Sequence, residues 1–290
     1  MMIRNTCRWC ALLLALGGLL VTPNAQSKPP AAKKKAKTAA AEASPAPEAA
    51  PVLEPKALEI LKAASSRLAA AHTIKFNAVH FYENPSRHGH PLAFTTKSEV
   101  ALERPDKLRV IMPGDGPASE FYYDAKKMMA YAPAENLVAI ADAPSTIDAT
   151  LEQAYHSAAI YFPFADWIVA DPYKEMSEAM KLAYYIGQSK VIGETTTDMV
   201  AYIDNGVFIQ AWIGTEDKLP RLLHATYLED PDRLRHTLIL SDWQLDAAVP
   251  PDTFTSAKAA TANPMPFAHP HPEPSPGAEP TPKGKPPKKQ

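Results

Sequence analysis

The spacing of apolar residues changes several times along the central part of the chain. After Pro55, which suits the first turn of a helix, leucines recur at helical spacing along one side as far as Leu68. From Ile74 onward, short runs of alternating, β-branched and aromatic residues are separated by Pro, Gly and Asp turns. This pattern predicts one helix followed by about six strands of an antiparallel meander. The predicted strands are 74–82, 98–103, 108–112, 120–123, 128–132 and 137–141.

A second helical region interrupts the strands. Ser145-Thr146-Ile147-Asp148 resembles a capping box, and an apolar stripe of helical period follows it. Asp171-Pro172 starts another helix, and the most aromatic stretch of the chain, 161–169, lies between the two. The turn Asp204-Asn205-Gly206 is a strong hairpin signal. About five further strands are predicted at 184–190, 197–204, 207–213, 221–228 and 235–245.

This order of elements predicts an α+β fold with one large antiparallel sheet of about 11 strands. A sheet of that size tends to curl, and the helical insertion can cover its concave side. We expect one domain over 56–256, since about 200 residues can bury a sizeable interior.

The N-terminus has the three parts of a secretory signal peptide. Arg4 and Arg8 precede an uncharged apolar run from Ala11 to Val21, and a small-x-small cleavage site ends at Ser27. The run has 11 residues, whereas a membrane-spanning helix needs roughly 20. We therefore predict a cleaved signal peptide over 1–27, a periplasmic or secreted protein, and no transmembrane segment in the mature chain.

Both cysteines precede the apolar run. The spacing Cys7-x-x-Cys10 would elsewhere suggest metal or redox chemistry, but here both residues should leave with the signal peptide. The mature chain is then expected to contain no disulfide, no thiol nucleophile and no thiolate metal site.

Two segments rich in Pro, Ala and Lys flank the core, at 28–55 and 257–290. Such segments cannot bury enough apolar surface to offset an ordering entropy of about 1–2 kcal/mol per residue, so we predict that both are disordered. Residues 57–256 contain 17 Lys and Arg against 27 Asp and Glu, a net charge of −10, whereas 28–56 and 257–290 each carry +3. An acidic core argues against a nucleic-acid partner. The basic tails either contact anionic surfaces of the cell envelope or act as solvated spacers.

No stretch of the sequence has the pattern of a catalytic centre. Gly-x-Ser-x-Gly, His-Glu-x-x-His and a phosphate-binding glycine loop are all missing from it. His88 and His90 offer two imidazoles, but without a defined third ligand an exposed loop is the favoured interpretation. We therefore expect no enzyme, no cofactor and no metal, and keep a hydrolase or metal enzyme with a dispersed site as the last alternative.

Large apolar residues are the more suggestive feature. Methionines and aromatic rings fill irregular space, which suits an adaptable lipid pocket. The alternative is that the same residues fill a closed core. The candidates for one apolar cavity are Phe76, Phe81, Met112, Tyr131, Trp167, Met176, Met180, Trp212 and Trp243.

Several segments, in order, resemble an uncharacterised periplasmic family, domain of unknown function 2092. The family carries a Gln-x-Trp-Ile strand, a Leu-Pro-Arg turn, a closing segment with Trp and Phe, and a Tyr-Asp-Gly-Lys hairpin. Ala125 stands where the hairpin usually has Gly. The matching residues here are Gln210, Trp212, Ile213, Leu219, Pro220, Arg221, Trp243, Phe254, Tyr123, Asp124 and Lys126.

The resemblance covers the core, 56–256, and implies a fold like that of the LolA and LolB lipoprotein carriers. That fold is a half-open antiparallel barrel with helices as a lid. It favours an exported, non-enzymatic envelope protein that binds or carries an apolar ligand, such as an acyl chain, lipid or lipoprotein, in its concave sheet. The alternative is a periplasmic interaction or sensing module with a filled core and partner-binding tails. An open apolar cavity would support the first hypothesis, and a closed core the second.

Overall fold

The computed structural model describes residues 52–114 and 117–269. The predicted signal peptide, most of the predicted N-terminal linker and the tail from 270 lie outside the described residues. Within these described ranges, one sheet of thirteen strands dominates, and five α-helices accompany it. The helices are α1 (Pro55–Ala69), α2 (Ile147–Ala158), α3 (Ala165–Ile168), α4 (Pro172–Ser177) and α5 (Ala257–Ala260), with 3₁₀ turns at Ile192–Glu194 and Pro251–Phe254.

The strands follow the predicted meander closely. In the first half they are β1 (Val52–Leu53), β2 (Thr73–Pro85), β3 (Pro91–Glu103), β4 (Lys107–Met112), β5 (Ser119–Asp124), β6 (Lys127–Ala132) and β7 (Leu137–Asp142). In the second half they are β8 (Leu182–Ser189), β9 (Thr197–Asp204), β10 (Val207–Gly214), β11 (Pro220–Tyr227), β12 (Arg235–Leu245) and β13 (Asn263–Met265).

The sheet is open, with the order β1-β8-β9-β10-β11-β12-β2-β3-β4-β5-β6-β7-β13. All neighbouring strands are antiparallel except at the two edges, where β1 pairs with β8 and β13 pairs with β7 in parallel. The pair β2–β12 joins the two halves, so we call it the seam. The predicted fold class, α+β with a large antiparallel sheet, is confirmed, with thirteen strands in place of about eleven.

Three local features differ from the prediction. The expected loop 83–91 is shortened to 86–90, because β2 continues to Pro85 and β3 begins at Pro91, and these two residues face each other in register. The two additional strands are edge strands of two and three residues, too short to produce a visible alternation. The helix α2 is capped by Thr146, whose Oγ1 accepts from the N–H of Ala149 at 3.3 Å, rather than by Ser145.

The predicted end of the core at 256 also differs from the structure. Residues 251–265, here called the C-terminal strap, continue as a 3₁₀ turn, α5 and β13. Ser256 caps α5, accepting from the N–H of Ala259 at 3.2 Å, and the Ala259 side chain is buried. This contact with the sheet offsets part of the ordering entropy that composition alone suggested would leave the segment disordered.

Strand alternation gives the sheet two distinct faces. The helix face carries the main core, which includes Leu61 and Leu68 of α1 packed with Ile74, Leu102 and Leu108 of the sheet. We call the opposite side the outer face. The C-terminal strap lies on the outer face, where it contacts β4, β5 and β7.

Candidate functional site

The helix face is filled by an aromatic segment, residues 160–180, here called the plug. Within it only α3 and α4, of four and six residues, are helical. Phe164 meets Phe76 of β2 edge-to-face at 5.3 Å between ring centroids, and Phe162 meets Phe121 of β5 at 5.4 Å. The rings of Phe162 and Phe164 stack at 5.6 Å, and Trp167 is 3% exposed. Aromatic side chains of the plug therefore close this side of the core together with α1.

Hydrogen bonds hold the second part of the plug in place. The N–H of Ala170 donates to the Asp148 carboxylate at 3.1 and 3.2 Å, and the N–H of Tyr173 donates to Ser65 Oγ at 2.8 Å. The Arg104 guanidinium donates to the Val169 carbonyl at 3.0 Å. These contacts come from α2, α1 and the end of β3, so the plug is anchored to its surroundings through a few specific bonds.

Six of the nine cavity candidates come together at the plug and its surroundings. Phe76, Trp167 and Met176 are buried in the core, and Met112, Met180 and Trp243 are partly buried against it. The Trp243 ring stacks on Phe76 at 4.5 Å. Trp243 reaches the helix face through a bulge at 241–244, where Asp242 has φ 56°. Whether these six residues bind a ligand stays a prediction.

The other three candidates lie on the outer face. Tyr131 packs with Val138 and Ala259 in a small cluster under the strap. Phe81 is five residues from Phe76 on one regular strand, so alternation turns it to the opposite side, where it is 39% exposed. Trp212 is flanked by buried Ala211 and Ile213, and it points away from the core for the same reason. A strict count of strand positions would have separated Phe81 from Phe76.

Two surface hollows are found among the described residues, and no plug residue lines either of them. One, of about 310 Å³, is bordered by Phe81, His224 and the ion pair of Arg235 with Glu83. The Arg235 backbone N–H and guanidinium both donate to the Glu83 carboxylate, which holds the pKa of Glu83 below its ordinary value. The pair therefore ties the start of β12 to β2.

The second hollow, of about 380 Å³, lies beside Trp243 and Arg221. The Trp243 indole N–H donates to the Pro220 carbonyl at 2.9 Å, and Arg221 forms an ion pair with Asp217. Gly193 lies against Arg221, because a Cβ on Gly193 would be 2.7 Å from Arg221 Cδ. The Leu-Pro-Arg segment thus secures the β10–β11 turn, which is a structural role.

A row of five rings crosses the seam on the helix face, and the sequence analysis missed it. His80 and His236 lie 3.8 Å apart between ring centroids, and Tyr82 lies 5.1 Å from His80. Phe94 extends the row beyond Tyr82, and Tyr227 extends it beyond His236. The only sequence signal is the period of two between 80 and 82, because the pairing of β2 with β12 is not local.

The two seam histidines are held neutral. Burial lowers the pKa of His80 to about 3, with His236 adding a smaller repulsion, and burial lowers the pKa of His236 to about 4, with His224 adding to it. Both Nε2 atoms are buried without a hydrogen-bond partner among the described residues. His236 Nδ1 shares a hydrogen bond with the Tyr227 hydroxyl at 3.2 Å. A charge at either ring would be costly there.

Asp204, at the end of β9, is an acidic side chain whose pKa is also shifted by burial. Burial raises the pKa of Asp204 to about 6, and the neighbouring carboxylates of Asp166 and Glu175 add to the shift. Within the described ranges, no group of three or more His, Cys, Asp or Glu side chains is arranged to hold a metal ion. His88 and His90 lie in the exposed β2–β3 turn, where their backbone N–H groups donate to Ser86 Oγ.

A periplasmic protein family matches most of the chain. The family DUF2092, described as a predicted periplasmic protein, matches residues 57–268. The chain belongs to this family. The predicted family and the predicted periplasmic location are both confirmed. In the part of the chain that the structure describes, no helix is long and apolar enough to cross a membrane.

Several solved structures match the chain at low sequence identity. MucB is 11% identical with a TM-score of 0.41, and the match covers 71% of this chain and 64% of MucB, less than two thirds of that chain. LprF from Mycobacterium bovis is 15% identical with a TM-score of 0.41, and the match covers 70% of this chain and 98% of LprF. The LolA superfamily protein NE2245 from Nitrosomonas europaea is 10% identical with a TM-score of 0.33, and the match covers 69% of this chain and 97% of NE2245. No curated protein matches the sequence.

Proposed function

We propose that this periplasmic protein is a non-enzymatic binding protein that takes an apolar ligand on the helix face, in the space that the plug fills. The ligand class is an acyl chain, either of a lipid or of a lipoprotein. The observation that carries the proposal is the plug itself. Its Phe162, Phe164 and Trp167 cover an apolar wall of the sheet from a segment with little regular structure.

The chemistry of the wall supports this proposal. Phe76, Val100, Val110 and Phe121 are buried side by side on adjacent strands, so removal of the plug would expose a continuous apolar surface. Such a surface is unstable in water unless something apolar covers it. An acyl chain can replace the rings at little cost, because both present apolar area to the same wall.

Methionines at the border of the plug also support an exchange of occupants. Met176 and Met180 belong to the plug, and Met112 lies at the end of β4 against the core. Unbranched thioether side chains adapt to ligands of different shape. The plug would then move as a unit, with its polar anchors at Asp148 and Ser65 acting as the points that release it.

The test is native mass spectrometry of the mature protein purified from the periplasm, combined with uptake of a fluorescent fatty acid. We expect a bound mass of lipid size, saturable uptake, and faster hydrogen exchange of 160–180 in the bound state. Trp212→Phe, on the outer face, is the matched control and should leave uptake unchanged. A ligand-free mass together with no uptake of the fatty acid would contradict the proposal.

A second candidate function is favoured by the filled core. In the structure the helix face is closed by the protein's own side chains, as expected for an interaction or sensing module that docks a partner through its surface or tails. This candidate predicts that deleting 270–290 abolishes capture of a periplasmic partner while the circular dichroism spectrum stays unchanged. Capture that survives the deletion rules out the version that depends on this tail.

A further inference from the structure

The outer face of the sheet carries an apolar row that crosses five strands, four of them in the second half and the fifth, β2, across the seam. Strand register places its members as direct cross-strand neighbours, each with its side chain on the same side of the sheet. We call it the outer stripe. In strand order from β9 through β10, β11 and β12 to β2, it consists of Met199, Trp212, Leu222, Ile239 and Val79.

The stripe faces away from the core. Val200, Ala211, Leu223, Leu240 and Ala78, which adjoin the stripe residues along their strands, are all buried. The stripe residues themselves are half-buried or exposed. An antiparallel sheet with one solvated face normally carries polar residues at these positions. Five apolar neighbours in a row therefore call for a second apolar surface to cover them.

Polar positions border the stripe along one side. The adjoining row contains Gln210, His224 and Thr237, with Phe81, 39% exposed, at its end. Beyond Val79 the row ends at Lys97, whose ammonium lies 3.5 Å from Glu99. No member of the stripe is charged, so an apolar surface can meet it without burying an unpaired charge.

The protein's own flanking segments do not suit the stripe. Residues 28–51 and 270–290 contain no Val, Ile, Leu, Met, Phe, Trp or Tyr. The C-terminal strap, which does carry a large apolar side chain in Phe254, contacts β4, β5 and β7 at the other half of the sheet. The occupant must therefore come from a second molecule.

We propose that the occupant is the same stripe of a second copy, in a two-fold symmetric dimer. Leu222 lies on the central strand of the five. A two-fold axis that runs parallel to β11 at Leu222 brings Trp212 of one copy over Ile239 of the other, and Met199 over Val79. A self-complementary surface of this kind is the commonest basis of homo-oligomers.

The area sets the expected strength of the dimer. Five strands at about 4.8 Å and three rows of side chains at about 7 Å cover roughly 500 Å² per copy, or about 1,000 Å² in total. This is at the lower limit for a specific interface, below the usual 1,200–2,000 Å² or so. We therefore expect a reversible dimer that dissociates on dilution, with a dissociation constant in about the micromolar range.

The first test is sedimentation equilibrium of the mature full chain over a range of concentrations. We expect a monomer–dimer equilibrium whose dissociation constant rises at least about tenfold in Ile239→Lys. Ile239 is 36% exposed, so the variant should fold normally. The matched control is Ile140→Lys. Ile140 lies on β7, on the same outer face of the sheet as Ile239, and is 49% exposed, so this variant should dimerise like the natural protein. A monomer at all concentrations up to about 1 mM would overturn the proposal.

The second test locates the axis and identifies the occupant. Leu222→Cys, in a mature chain without other cysteines, should give a covalent dimer with a short bismaleimide, and Ile140→Cys should not. A photo-crosslinking residue at position 239 in the periplasm should yield a band of twice the monomer mass containing only this chain. Crosslinking to a different protein, or equal yields from both cysteine variants, would contradict a second copy as the occupant.

Discussion

The two halves of the outer face are built by the same alternation but end in different environments. Over β4–β7, the C-terminal strap covers the sheet and buries Phe254, which is 2% exposed, and Ala259, which is fully buried. Over β9–β12 and β2, the residues of the outer stripe, including Ile239, stay at least partly accessible. The same apolar pattern is therefore buried in one half and remains partly accessible in the other.

The largest effect is expected in the half of the outer face that the C-terminal strap covers. Phe254→Ala removes a buried aromatic side chain and should lower the free energy of unfolding by about 3–5 kcal/mol. Urea denaturation followed by circular dichroism measures the change. A loss below about 1 kcal/mol would mean that the strap contributes little, and that the two halves do not differ in the way described.

A smaller effect is expected at the seam, where two buried histidines make the free energy of unfolding depend on pH. His80 and His236 have pKa values of about 3 and about 4 in the folded protein, and 6.5 when unfolded. The unfolded chain therefore binds more protons below pH 6.5, so the free energy of unfolding falls as the pH drops from 6.5 towards 4. His236 alone accounts for on the order of 3 kcal/mol.

The control for the seam is His236→Phe, which should flatten this slope between pH 6.5 and 4. Asp204 acts in the opposite direction, because its folded pKa of about 6 lies above its unfolded value of 3.8. The Asp204 contribution is present below pH 3.8 and is lost as the pH rises through 6. Asp204→Asn should consequently steepen the acid loss, and an unchanged slope in both variants would contradict the burial of these groups.

An intermediate effect tests the 3₁₀ turn between β8 and β9, which packs against Arg221. Gly193 has φ 71°, and a Cβ would meet Arg221 Cδ at 2.7 Å. Gly193→Ala should cost about 1–3 kcal/mol of stability through the backbone strain and the contact. Gly89→Ala, at φ 78° with open space around it, isolates the backbone part. Equal losses in the two variants would show that the Arg221 contact is unimportant.

The smallest effect is expected at the stripe itself. Ile239→Ala should change the free energy of unfolding of the dilute monomer by less than about 0.5 kcal/mol, since its side chain is already 36% exposed. Urea denaturation at submicromolar protein measures it, with Phe254→Ala as the contrasting variant. A loss of several kcal/mol would place Ile239 in the core and remove the difference between the halves.

Much of the fold was predictable because its signals are local. The β9–β10 hairpin follows from Asp204-Asn205-Gly206, and α1 begins at Pro55 as predicted. The candidate site was predictable only in part. Phe76 and Trp167 could be chosen as core residues, but the bulge at Asp242 that turns Trp243 towards Phe76 leaves no pattern in the sequence.

The sequence by itself determined the order of helices and strands, the alternation that separates the two faces, and the membership of a periplasmic family. These depend on neighbouring residues or on motifs in order along the chain. Only the tertiary structure decided that the plug fills the helix face, that His80 meets His236 at the seam, and that five apolar residues align as the outer stripe. The reason is that strand order and register join segments far apart in the chain, and no local periodicity records which strands become neighbours.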